Sequence, residues 1–243
     1  GRAPKVIPVP GLLGHEWDED IDNGFRPPGL VRLSETTVDN VQYLQDEGST
    51  FDTGTATHRL TFYRHPGGAL VFGAGTVQWT WGLDGHHDLV TGLDLKLGQN
   101  CYSLRVGVDQ MVGDGNRDIQ QATMNMFADM GVLPTEPQLE LNVPEMSRDH
   151  EPPVVRGPTS VSHDRAGVVL TGQVEDVGGG VAAAVEVSED GGRRWHPAAT
   201  LDLRTGRWTY RLSAALKIEA DIRVRVADDS GNLAEQAVQI SIS

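Results

Sequence analysis

Residues 15 to 22 read His15-Glu16-Trp17-Asp18-Glu19-Asp20-Ile21-Asp22. Five carboxylates and an imidazole in eight positions repel one another unless a metal, a basic partner or water compensates them. Three chemistries fit. Asp18, Asp20 and Asp22 have the i, i+2, i+4 spacing with which a calcium loop turns its oxygens inward. The match to that loop is partial, because Asn23 stands at the sixth place with Gly24 one late, and Gly29 stands at the twelfth where a Glu belongs. Alternatively, His15 and Glu16 lie at a strand end, where iron or zinc could take Glu16 and His15 with distant partners from His86, His87 and Asp88, or where Glu16 could act as a catalytic carboxylate. In the third reading this is an acidic surface loop whose Asp and Asn side chains cap their own turns and pair with Arg26 and Arg32.

Two further groups could touch a ligand. Trp79 and Trp81 alternate in "TVQWTWG" and could stack on a sugar or line a pocket; the alternative is that they seal the edge of a core. His86 and His87 are either part of the same site or an exposed loop pair. Cys101 has no CxxC partner and no nearby His, and reads as a small, part-buried side chain.

These residues need elements to place them. "THRLTFYR" alternates, with Leu60 and Phe62 on one face and Thr61 and Tyr63 on the other. "GALVFGAG" reads as a buried strand that stops at a glycine loop. "RDIQQATMNMFADMGVLP" predicts a helix, with Asp118 in the first turn, Gly131 after the last and Pro134 beyond. Ile119, Thr123, Met126, Phe127 and Met130 form its stripe, expected to face a core. Residues 136–157 are Pro-rich and read as an extended linker. Beyond it, "AAVEVSEDGGRRWHPA" alternates Val185 and Val187 against Glu186 and Ser188. Asp190-Gly191-Gly192 and "DDSGN" supply turns, and Trp195, Trp208 and Tyr210 supply aromatic packing. That text predicts a β-sandwich.

The 243 residues carry a formal net charge of −14, which speaks against nucleic acid or an anionic membrane as partner. No apolar run approaches the roughly 20 residues that span a bilayer. With 38% hydrophobic residues, Gly 29 and Pro 13, the composition is that of a turn-rich globular chain.

"VEVSEDGGRRWHPA", "GRWTYRL" and "IRVRVADDSGN" resemble the immunoglobulin-like modules of bacterial surface proteins and the dimerising domain of sulfite-oxidase-type enzymes. "GLLGHEWDEDIDNGFRPPGLVRLSETTV", "ATHRLTFYRHPGGALVFGAGTVQWTWGLDGHHD" and "QQATMNMFADMGV" resemble the C-terminal half of the domain related to the large subunit of N,N-dimethylformamidase. The resemblance implies an α/β, glutamine-amidotransferase-like fold, present here in part, followed by an all-β immunoglobulin-like sandwich. It departs in lacking the cysteine elbow of true amidotransferases. In that enzyme an iron is held by two Tyr and one Glu; Glu16 aligns with the Glu, and the Tyr ligands would lie upstream of this chain.

The expected organisation is therefore an amidotransferase-like portion over 1–135, the linker over 136–157 and the sandwich over 158–243. Two functions compete. One is metal-dependent hydrolysis of an amide C–N bond by a secreted or cell-surface bacterial protein, with Glu16 and His15 at the chemistry, Glu16, Asp18, Asp20 and Asp22 as candidate ligands for iron or calcium, and the rest of a larger polypeptide or another subunit as partner. The other is a non-catalytic adhesive or carbohydrate-binding module, with Trp79, Trp81, His86 and His87 against a glycan.

Overall fold

A computed structural model describes residues 6–7, 9, 11–13, 16–84, 115–213 and 221–238. Strands β1 (Val31–Arg32), β4 (Thr61–Arg64) and β5 (Leu70–Gly73) form one antiparallel sheet in the order β1-β4-β5. A long hairpin of β2 (Thr36–Gln45) and β3 (Thr50–His58) stands beside it. Helix α1 (Arg117–Asp129) follows.

Local chemistry explains the antiparallel pairing. "HPGGA" joins β4 to β5, with His65 N–H donating to Ala69 O at 2.8 Å and Gly68 at φ 90°. So short a connection can only return the chain antiparallel; a parallel pair needs a crossover of a dozen residues or more. Among the described residues of 1–135 the strand pairings are antiparallel and α1 is the only α-helix. This region is β-rich, and the expected α/β layering is not found among these residues. "GALVFGAG" differs too: β5 is an edge strand with Val71 exposed.

The helix forms as its sequence predicts. Asn116 caps it, its Oδ1 accepting from Asp118 N–H at 2.9 Å and Ile119 N–H at 3.2 Å. At the other end Gly131 (φ 82°) donates to Ala128 O and Val132 to Phe127 O, a Schellman ending. Ile119 packs with Leu12 and Trp79, and Met126 against Val31 and Phe62. Phe127 and Met130 do not join the core; both are exposed, because the buried stripe runs through Ile119 and Ala128 instead.

The second region is a β-sandwich. One sheet has the order β10 (Thr200–Leu201), β11 (Arg207–Arg211), β7 (Gly167–Glu175), β6 (Val154–Asp164); the other is β13 (Leu233–Ala237), β12 (Arg223–Asp228), β8 (Ala182–Ser188), β9 (His196–Pro197). Leu170, Val174, Trp208 and Tyr210 from the first meet Val185, Val187, Val224 and Val226 from the second in one core. Trp208 is fully buried against Gly172 of the paired strand, where a side chain would collide with the indole.

The other face of β8 and β12 is also covered. Ala184 pairs with Ala227 and Glu186 with Arg225 there, and Val31, Phe62 and Met126 pack on the alanines. The linker is bonded on both sides: Ser147 N–H donates to Asp129, Ser147 Oγ meets Ser230 Oγ at 2.7 Å, and Asn232 donates to Asp149 O.

Candidate functional site

The acidic segment is laid down by backbone pairing. Trp17 bridges Thr76, Asp18 N–H donates to Gly75 O at 2.8 Å, and Val77 N–H donates to Glu16 O at 3.3 Å. The carboxylates therefore run beside the glycine-ended exit of β5. Glu16 is exposed and holds φ 45°, the left-handed region that a branched-chain-free but β-carbon-bearing residue adopts only at a cost.

The carboxylates then go to separate partners. Asp20 accepts from Arg26 and, at 2.6 Å, from Arg32 Nε. Burial alone would raise its pKa; the hydrogen bonds and charges of the two arginines outweigh this and hold the carboxyl below the ordinary 3.8. Arg26 also reaches Glu186 of β8. Glu186, 1% exposed, further accepts from Gly29 N–H at 2.9 Å and from Arg225 Nε at 2.8 Å. Arg225 lies over the Trp195 ring at 4.1 Å. Gly29 must be glycine, since its φ is 67° and a Cβ would press on Ala227 and Leu233. Asp22 pairs with His196 Nδ1 at 2.9 Å, and Asn23 Oδ1 accepts from Phe25 N–H. Glu19 accepts from Tyr43 OH and Thr57 N–H of the hairpin.

The pairing of Asp20 with Arg26 and Arg32, and the Asn23 turn, are what the surface-loop reading expects of local sequence. The calcium-loop reading needs Asp18, Asp20 and Asp22 to share an ion, and here guanidinium groups and an imidazole take two of the three.

A shallow cleft of about 350 Å³ opens between the acidic segment and the β1-β4-β5 sheet, lined among others by Asp18, Arg59, Thr61, Tyr63, Gly73 and Gly75. Arg59 donates to Glu35 at 2.8 Å. Two hydroxyls (Thr61, Tyr63), one guanidinium (Arg59) and the carboxylates of Asp18, Glu19 and Asp20 can hold and orient a small polar molecule.

His58 is a residue that sequence reading missed. It is 4% exposed, its Nε2 donates to Ala74 O at 2.8 Å, and the Trp17 ring meets it edge-on at 6.1 Å. Burial pushes its pKa below 6.5, against the opposing influence of Ala74 and Asp18. Its one signal was its place at the inward end of an alternating run.

Trp79 is buried against Phe72 and donates to Thr123 Oγ1 at 3.3 Å, so it seals the core and is not open to a ligand. Trp81 is partly buried in the same 3₁₀ turn, Trp79–Gly82. His15, His86, His87, Asp88 and Cys101 lie outside the described residues.

A small antiparallel β unit docked through buried charges on a β-sandwich is the class of architecture that results. Residues 2–91, which contain the acidic segment, the hairpin and the cleft, match the family described as N,N-dimethylformamidase beta subunit-like, C-terminal. Residues 2–91 are thus similar to that family. No curated protein and no solved structure matches the chain. No helix among the described residues is long and apolar enough to cross a membrane.

Proposed function

We propose that this chain is part of a hydrolase related to dimethylformamidase that cleaves an amide C–N bond. The observation that carries the reading is the family match over residues 2–91, which includes Glu16 and the cleft that Asp18, two residues on, helps to line. Hydrolysis adds water across the bond and yields a carboxylic acid and an amine. Glu16 takes a proton from the attacking water and returns it to the departing nitrogen. Its exposure and its left-handed backbone, fixed by the bonds to Thr76, Val77 and Gly75, support that role, since such outliers cluster at functional sites. His15 is its supporting group. The large-subunit, amidotransferase-like part of the site comes from the remainder of a larger polypeptide or from another subunit. On this reading the sandwich is an immunoglobulin-like module of a secreted or surface-displayed bacterial protein.

The test is release of dimethylamine from N,N-dimethylformamide, and of ammonia from formamide, by the native protein and by Glu16→Gln. The variant should lose about 100-fold or more in rate with unchanged melting temperature. An unchanged rate in the variant, or a native protein inactive on both amides, ends the proposal.

A further inference from the structure

A second group of carboxylates meets outside the residues that line the cleft. Asp149 comes from the linker, Asp176 from the loop between β7 and β8, and Asp228 from the end of β12. One oxygen of each lies within 4.8 Å of the others. Asp228 is 0% exposed, and its oxygens accept only from neutral donors: Ser230 N–H, Asn232 N–H and Asn232 Nδ2. Asp176 accepts from Gly178 and Gly180 N–H groups. An independent observation concerns Asp149, which is part-buried: its Oδ1 accepts from Glu151 N–H at 2.9 Å, but its Oδ2 is buried and has no hydrogen-bond donor. Its carboxylate is pressed against Gly178, where a Cβ would collide with it.

We infer that Asp149, Asp176 and Asp228 bind a hard divalent cation, calcium, where the linker meets the sandwich. Three converging carboxylates, one of them fully buried, cannot stay ionised without positive charge. Among the described residues no arginine, lysine or histidine is paired with them, in contrast to Glu186. An all-oxygen ligand set suits calcium or magnesium rather than a soft metal. Calcium bonds oxygen at about 2.3–2.6 Å, so oxygens across one ion stand about 4.6–5.2 Å apart, which the group can span. Magnesium demands a tighter octahedron and keeps its waters. The ion would tie the linker to two loops of the sandwich.

The experiment is calorimetric titration of the chelator-stripped full chain with calcium chloride, paired with thermal melting. Asp228→Asn removes a buried group and can fail to fold, so the variants are Asp149→Asn and Asp176→Asn. The native chain should show a saturable site and a melting temperature raised by about 5 °C or more at saturation. Each variant should weaken calcium binding about tenfold or more. No heat and no shift at millimolar calcium would overturn the proposal, as would undiminished affinity in both variants, which places the ion elsewhere. A magnesium response equal to that of calcium would overturn the choice of ion.

Discussion

Glu186 and Asp228 lie on neighbouring strands of one sheet and are equally buried, at 1% and 0% exposure. Their surroundings are opposite. Glu186 is met by Arg26, Arg225 and a backbone N–H. Asp228 is met by two more carboxylates. Burial by itself therefore does not mark a site in this molecule; what matters is whether the chain supplies the counter-charge. Where it does, the carboxylate is a joint between the two regions. Where it does not, the carboxylate is a request for a cation.

The largest consequence is at the joint. Arg225→Ala removes the main cation from Glu186 and the stacking on Trp195, and leaves a buried charge short of partners. Denaturant unfolding should show a loss of about 3 to 5 kcal/mol. A loss within about 1 kcal/mol would mean that Glu186 is carried by Arg26 and Gly29 alone, and the contrast with Asp228 would shrink.

Acid should act on the first region in two stages. Asp20 and His58 both have folded pKa values below their unfolded ones. In each case the unfolded chain binds more protons in the window between the two values, so stability falls as the pH is lowered. The His58 contribution is complete above pH 6.5 and is lost below it; the Asp20 contribution is complete above its ordinary 3.8 and is lost below that. Melting temperature followed against pH should decline first below 6.5 and again below 3.8. His58→Gln should flatten the first decline and leave the second. An unaltered profile in that variant would remove His58 from the account.

What the sequence disclosed depended on how far apart the partners stand. The helix was legible because Asp118, Gly131 and the periodic stripe are local, and the strands of the sandwich because alternation and the Asp190-Gly191-Gly192 turn are local. Arg26 and Arg32 could be matched to the acidic run because they lie within a few residues of it. The joint could not, since Arg26 and Glu186 are 160 positions apart. For the same reason the alternation set Glu186 on the face opposite Val185 and Val187 without showing that this face is covered too. Phe127 and Met130 fitted the helical period, but the period gives a face and not what lies opposite it. For Trp79 the sequence left ligand contact and core-sealing both open, because it does not show Phe72 and Thr123 closing over the ring. The three aspartates belong to a linker, a loop and a turn, and no spacing rule joins them.

The contrast between the two buried carboxylates is tested most directly by the stability of Asp176→Asn with and without calcium. In chelator the substitution relieves repulsion, so the variant should equal the native chain or exceed it by about 1 kcal/mol in equilibrium unfolding. In millimolar calcium the native chain gains the binding energy and the order should reverse. The same ranking under both conditions would contradict the account.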